Sequence, residues 1–205
     1  MDRIIVADDH PLFRGALVSA LARAAPGALV EETSSLAGAR EALSRGPVDL
    51  LLLDLRLADS EGFAGLAGVR GDFPTVPVVV VSASEDGATI ARALAFGAAG
   101  FIPKSATLGE MVEALAAIRS GDVWAPATAA VAEVEPMEAR IATLTPSQLK
   151  ILIGLQQGRL NKQIAFDLGV TEATIKAHLT GVFRKLGVQN RTQAVIAARA
   201  LSIEV

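Results

Sequence analysis

Cysteine is absent from the 205-residue chain, and histidine occurs only twice, at His10 and His178. The first absence excludes a disulfide framework, a thiolate zinc site and a cysteine nucleophile, and it fits a reducing compartment. The second excludes a histidine-rich metal cluster. Long hydrophobic runs are missing too. Mean hydropathy is high at +0.44, yet the strongest apolar stretches, Val48–Leu53 and Val76–Val81, fall far short of the ~20 residues of a spanning helix. The opening residues Met-Asp-Arg-Ile-Ile-Val-Ala-Asp-Asp carry neither the basic region nor the apolar stretch of a signal peptide. The expectation is a soluble, cytoplasmic protein with no membrane partner, long enough for one or two domains.

The net charge of −3 argues, taken alone, against a nucleic-acid partner. The charge is not evenly spread. Residues 1–140 hold 11 basic and 19 acidic side chains, a net −8, whereas residues 141–205 hold 8 and 3, a net +5. Such a sign change predicts two modules with different partners. The seam falls at Trp124–Thr143, punctuated by Pro126 and Pro136 and irregular in its apolar pattern.

In the first module, short apolar runs at Ile4–Ala7, Ala28–Val30, Leu50–Leu53, Val78–Val81 and Gly100–Ile102 alternate with helical periods. The helices are read at Leu12–Ala24, Leu36–Leu43, Gly62–Val69, Thr89–Phe96 and Leu108–Ile118. Five such repeats predict a parallel sheet covered by helices on both faces, and the uniformly apolar central runs fit strands buried on both sides. Ligands of open α/β sheets gather at the carboxyl ends of the strands. There stand Asp8 and Asp9 after the first strand, Asp54 after the third, Ser82 after the fourth and Lys104 after the fifth.

Three carboxylates, a hydroxyl and an ammonium on one rim suit phosphoryl transfer to a carboxylate. Mg²⁺ relieves the mutual repulsion of the acids and neutralises an incoming phosphoryl group. Lys104 and Ser82 bind phosphate oxygens, and Asp54 is the best-placed nucleophile. Each residue also has a plainer reading: Asp9 as a helix cap, Ser82 as a turn residue, Lys104 as a solvated charge. An aspartyl-nucleophile phosphatase is a further alternative, but the position two residues after Asp54, where such enzymes place an acid, holds Arg56.

The segments Ile-Ile-Val-Ala-Asp-Asp-His-Pro-Leu-Phe-Arg, Leu-Leu-Asp-Leu-Arg, Val-Val-Ser-Ala and Gly-Phe-Ile-Pro-Lys-Ser resemble the receiver domain of two-component response regulators, over about residues 2–122. The resemblance implies a flavodoxin-like, doubly wound five-stranded sheet of order 2-1-3-4-5. It implies Asp54 as phosphoacceptor, with Asp8, Asp9, Asp54 and the Arg56 carbonyl around Mg²⁺, and Ser82 with Phe101 as a switch pair. One departure is Ala58, where many relatives carry proline four residues after the phosphoacceptor; it predicts a less rigid loop.

The second module reads as all helical. Thr145-Pro146 starts a helix that Gly158 ends, Asn161 caps a short helix closing at Gly169, Thr171 caps a longer one closing at Gly187, and a last helix runs from about Arg191 to Leu201. The short helix, glycine turn and longer helix have the layout of a helix-turn-helix. On the longer helix Ile175, Leu179, Val182, Phe183 and Leu186 form one apolar stripe. The opposite side carries Ala173, Ala177, Thr180, Gly181 and Arg184, with Lys176 on a flank. Small residues there admit base edges, and the basic ones reach phosphates or bases. A plain bundle with a solvated basic face is the other reading.

Leu144-Thr-Pro-Ser-Gln, Asn161-Lys-Gln-Ile-Ala, Thr171-Glu-Ala-Thr-Ile-Lys-Ala-His and Lys185-Leu-Gly-Val-Gln-Asn-Arg-Thr-Gln-Ala resemble the LuxR-type effector domain. A receiver at 1–122, a linker at 123–143 and a four-helix, LuxR-type domain at 144–205 is the architecture of NarL/FixJ-class transcriptional regulators, which are not enzymes. That resemblance implies Lys176, Ala177 and Thr180 at base-facing positions and Thr171 and Thr174 near phosphates, beside Arg184, which the helix face alone offers as a further DNA contact. It also implies a homodimer on an inverted-repeat operator, a sensor histidine kinase as phosphoryl donor, and RNA polymerase as a partner. The alternative within the same class is a DNA-binding regulator whose receiver serves only dimerisation or docking.

Overall fold

The structure, a computed structural model, describes residues 2–127 and 136–201, the side chains of 136 and 200 excepted. The chain divides into two compact units, Met1–Val134 and Glu135–Val205. Residues 128–135 of the stretch read as linker lie outside the described residues.

The first unit runs β1 (Arg3–Ala7), α1 (Pro11–Ala24), β2 (Leu29–Thr33), α2 (Leu36–Ser44), β3 (Leu50–Asp54), β4 (Arg56–Leu57), β5 (Ser60–Glu61), α3 (Ala64–Asp72), β6 (Val78–Ser82), α4 (Gly87–Ala95), β7 (Gly100–Pro103) and α5 (Leu108–Arg119). The five long strands form one parallel sheet of order β2-β1-β3-β6-β7, which is the expected 2-1-3-4-5 once the short β4–β5 hairpin is set aside. Every residue of β3 and β6 is buried, as strands covered on both faces must be. Alternation sends Ile4, Val6, Leu50, Leu52, Val79 and Val81 to one face, where they pack with Leu17 and Leu21 of α1 and Met111 and Leu115 of α5. Each such side chain contributes about 1.5–3 kcal/mol by leaving water.

Two differences from the sequence reading have simple causes. The second strand extends to Thr33 beyond the apolar run, because β2 is an edge strand whose acids have partners. Glu31 bonds Arg3 and Arg45, each at 2.6 Å, and Glu32 bonds Arg14 at 2.9 Å. The fourth helix starts earlier, at Gly87, because the Asp86 carboxylate accepts from the Thr89 N–H at 2.8 Å and caps it.

The second unit contains α6 (Pro136–Ala142), α7 (Pro146–Gln156), α8 (Asn161–Asp167), α9 (Glu172–Leu186) and α10 (Arg191–Ala197), which continues as a 3₁₀ turn over Ala198–Leu201. The four expected helices are α7 to α10. Helix α6 occupies the end of the stretch read as linker and is tied to α9: Arg140 donates to the Leu186 carbonyl at 2.9 Å, and Lys185 to the Thr143 carbonyl at 2.7 Å. Thr145 and Gln148 form a reciprocal cap at the start of α7. Asn161 proves to be the first helical residue of α8 rather than its cap. Leu160 takes the cap position, its N–H donating to Gln163 at 2.8 Å, while the Asn161 side chain accepts from Arg191. Gly169 turns the chain between α8 and α9 at φ +64°, a conformation that a side chain disfavours. Ile151, Leu152, Leu155, Ile164, Ile175, Val182 and Leu186 make the core of this unit. Among the described residues no helix is long and apolar enough to cross a membrane.

Candidate functional site

Parallel pairing aligns the carboxyl ends of the strands. Ala7 pairs with Leu53, Asp54 with Val81, and Ser82 with Pro103, so the residues that follow share one rim. Asp8 and Asp54 are buried, at 0% and 4% exposure, and so is Ser82 at 2%. The Lys104 ammonium lies 2.8 Å from Asp8 Oδ2 and 2.7 Å from Asp54 Oδ2. Asp54 Oδ1 accepts the Arg56 N–H at 3.0 Å. Burial pushes the Asp54 carboxyl above its ordinary range, a shift only partly offset by the bonds from Lys104 and Arg56. The side-chain oxygen of Ser82 accepts the Ser84 N–H at 3.1 Å, which leaves the hydroxyl proton available to a ligand. Phe101 is fully buried, and its register opposite Val80 puts it on the same sheet face as Ser82.

Two oxygens of the cluster, Asp8 Oδ2 and Asp9 Oδ1, are buried, and their near neighbours are the Lys104 ammonium at 2.8 Å and the His10 ring at 2.7 Å. An open cleft of about 580 Å³ borders the cluster on the Asp9 side, lined by Asp9, His10, Arg56, Ala58 and Ser60 among others. The loop beside it is better anchored than Ala58 suggests. Ala58 and Asp59 form the tip of the β4–β5 hairpin, and both Asp59 oxygens accept N–H groups of α2, from Leu36 and Ala37 at 2.8 Å each. Burial pushes the Asp59 carboxyl up, but the N–H groups of Ala37 and Leu36 outweigh it and hold the group below its ordinary range.

His10 was not among the site residues read from the sequence. Its ring nitrogen Nδ1 lies 2.7 Å from Asp9 and 3.9 Å from Asp54. The available signal was its place directly after the acidic pair, which reads equally as entry into α1.

On α9, Ile175, Leu179, Val182 and Leu186 are buried, while Phe183 is only half-buried. Lys176, Ala177, Thr180 and Arg184 are exposed on one side. Thr171 caps the helix through the Thr174 N–H at 3.2 Å, and the two hydroxyls lie 2.9 Å apart at its N-terminal mouth. Lys176 pairs with Glu172 one turn earlier, at 3.1 Å. Gly181 does not belong to the open face. A methyl group there would come within 2.7 Å of Gln148 Nε2, so this position faces α7.

The fold and the two surfaces together define a two-module regulator: an α/β unit with an acidic rim, and a helix-turn-helix unit. Residues 4–116 match the response regulator receiver domain, and residues 142–198 match the luxR family of bacterial regulatory proteins. The chain belongs to the response regulators that carry a luxR-type helix-turn-helix, a family of two-component, DNA-binding transcriptional regulators. It is 37% identical to a glycerol metabolism activator of Pseudomonas putida, over 97% of this chain and 95% of the relative. It is 35% identical to a probable transcriptional regulatory protein NarL of Mycobacterium tuberculosis, over 96% and 93%. Among solved structures it resembles RcsB of Salmonella enterica serovar Typhimurium bound to a promoter, with a TM-score of 0.59, 21% identity and coverage of 98% and 99%. At that identity the likeness is one of fold.

Proposed function

We propose that Asp54 is the phosphoacceptor of this regulator and that a sensor histidine kinase is its donor. The observation that carries the reading is the convergence of Asp8, Asp9, Asp54 and Lys104 on one rim, where three carboxylates gather about the ammonium of Lys104. A cluster of hard oxygen donors, three carboxylates against the one ammonium of Lys104, fits Mg²⁺, which Asp8, Asp9, Asp54 and the Arg56 carbonyl would hold. When bound, that ion supplies charge neutralisation between the carboxylates and the incoming phosphoryl oxygens.

A carboxylate oxygen of Asp54 attacks phosphorus as the phosphorus–nitrogen bond to the kinase's histidine breaks. Lys104 exchanges its contact with Asp54 for a phosphoryl oxygen. Ser82 donates its hydroxyl to another, and Phe101 packs behind it. In the second unit Lys176, Ala177 and Thr180 face bases, and Thr171, Thr174 and Arg184 meet the backbone. Support comes from the exposed side of α9, the net +5 of residues 141–205 and the luxR-family match. The acting form is a cytoplasmic homodimer on an inverted-repeat operator, where it contacts RNA polymerase. The receiver corresponds to residues 1–122 and the DNA-binding domain to 144–205.

The test is incorporation of label from a small acyl phosphate, followed by DNA selection on both phosphorylation states. Labelling requires Mg²⁺ and vanishes in Asp54→Asn. Equal labelling of that variant refutes the site, and equal DNA binding by both states refutes its control of the second unit.

A further inference from the structure

We infer that Arg14 is a positioning residue for phosphoryl transfer at Asp54: it clasps the turn that carries Asp8 and Asp9 and so sets where the two carboxylates stand. The inference rests on the phosphoacceptor and cation site proposed above and adds to them a residue outside the rim.

The acidic pair lies in the turn Asp8-Asp9-His10, between the end of β1 at Ala7 and the start of α1 at Pro11. Arg14, in the first turn of α1, closes that turn at both ends. Its backbone N–H donates to the His10 carbonyl at 3.0 Å, and its guanidinium Nη1 donates to the Asp8 carbonyl at 2.7 Å. Within the clasp Asp8 Oδ1 accepts the His10 N–H at 2.7 Å. Rotation about ψ of Asp8 would swing its carbonyl away from Arg14 and carry Asp9 off the rim, because the peptide between them is rigid. The bond from Arg14 therefore fixes one acid relative to the other.

The sheet does not supply this bond. The ladder of β1 with β3 ends at the pair Ala7–Leu53, and that with β2 ends where the Asp8 N–H donates to the Thr33 carbonyl at 3.1 Å. Asp8 is fully buried, and a buried carbonyl past the end of a ladder needs a donor from elsewhere. Arg14 is braced in turn on β2, where Glu32 accepts its Nε at 2.9 Å. The pairing also disposes of charge: a bare guanidinium next to the rim would repel a cation, and Glu32 offsets it.

A tie between α1 and the sheet edge would need Arg14 and Glu32 alone. Their side chains are 21% and 48% exposed, and ion pairs in such positions contribute little to stability. The contact with the buried carbonyl is the one that reaches the rim. It also explains an arginine at this position, since only its planar fork presents Nε and Nη1 to two fixed acceptors at once. Groups that orient metal-binding residues alter affinity by about 10–100-fold when they are removed.

Full-length wild type, Arg14→Met, Arg14→Gln and Glu32→Gln are compared by calorimetric titration with Mg²⁺ and by label uptake from a small acyl phosphate across a range of Mg²⁺, below the melting temperature of each. Methionine keeps the apolar stem without a donor, and glutamine is too short to keep both contacts, so a folding defect peculiar to one substitution does not decide the outcome. Both Arg14 variants raise the Mg²⁺ dissociation constant, and the Mg²⁺ needed for half-maximal labelling, by at least about tenfold. The labelling rate at saturating Mg²⁺ stays within about threefold of wild type, the split expected when binding alone is lost. Glu32→Gln keeps an acceptor for Nε and shifts either quantity by less than about threefold. Wild-type values in the Arg14 variants, a fall in the saturated rate with unchanged Mg²⁺ dependence, or equal losses in Glu32→Gln overturn the role of Arg14 and leave the acceptor standing. Failure of wild type to bind Mg²⁺, or labelling that survives in Asp54→Asn, overturns the proposed function on which the inference rests.

Discussion

Gly100 opens β7, and a methyl group added there has almost nowhere to go. Its Cβ would stand 2.5 Å from Ile118 Cδ1 and 2.9 Å from the Trp124 carbonyl oxygen. The isoleucine tip can turn, although Ile118 is packed into the core beside Met111 and Leu115. The carbonyl is backbone, and it accepts the Phe101 N–H at 2.9 Å, where Trp124 makes a parallel bridge with Gly100. Gly100→Ala therefore expels Trp124 from the sheet edge. Losing the bond while Phe101 stays buried, together with the crowding at Ile118, costs about 2–3 kcal/mol. For a unit of this size that lowers the melting temperature by roughly 8 °C.

Trp124 is the only tryptophan in a chain without tyrosine, so emission excited at long wavelength reports this spot alone. The expected record is a red-shifted native emission, as the half-buried indole meets water, and an earlier fluorescence melt. The same variant leaves the melting of the second unit, followed by helical circular dichroism, in place. Wild-type emission and melting in Gly100→Ala would refute the claim that the bridge at Trp124 depends on the missing side chain.

Further outcomes follow from the charges. Lys104→Met leaves Asp8 and Asp54 facing each other without a cation, and urea unfolding in chelator should show a loss of about 3–5 kcal/mol; millimolar Mg²⁺ should restore much of it, and no recovery would contradict the cation site. Asp59→Asn gives up one of two bonds to α2 and costs about 0.5–1 kcal/mol at neutral pH. Because the Asp59 carboxyl is held below its ordinary value of 3.8, the stability it adds is present above that value and fades as pH falls through the lowered one. The gap between wild type and variant should thus be flat above about pH 5 and close in stronger acid. Lys176→Ala should weaken binding to a selected operator, and a phosphate contact would show as a salt slope smaller by about one. An unchanged slope with relaxed sequence preference would place Lys176 on a base instead.

Most of the first unit was legible because its determinants are local. Central strands such as Leu50–Asp54 are apolar throughout, and parallel register then forces Asp8, Asp54, Ser82 and Lys104 onto one rim. What escaped depends on partners distant in sequence. The polar half of β2 is held by Arg3, Arg14 and Arg45, the hairpin tip by the N-terminus of α2, and α6 by the C-terminal end of α9. None of these leaves a periodic trace. The helical wheel erred at Gly181 for the related reason that a glycine has no polarity to declare its side; only the position of Gln148 on α7 assigns it.

The two units use charge in opposite physical settings, and this makes them separable in one experiment. In the first, Asp8 and Asp54 are buried and Lys104 is 14% exposed, so bulk salt screens them weakly and a specific divalent ion acts strongly. In the second, Lys176 and Arg184 stand in water, where monovalent salt competes directly for any phosphate they meet. In a high, fixed concentration of KCl, adding Mg²⁺ through the low millimolar range should alter labelling of Asp54 steeply while moving the DNA affinity of the unphosphorylated chain far less. Raising KCl at fixed Mg²⁺ should do the reverse. Parallel responses to the two salts would mean that the net −3 of the whole chain, and not its division into −8 and +5, governs its behaviour.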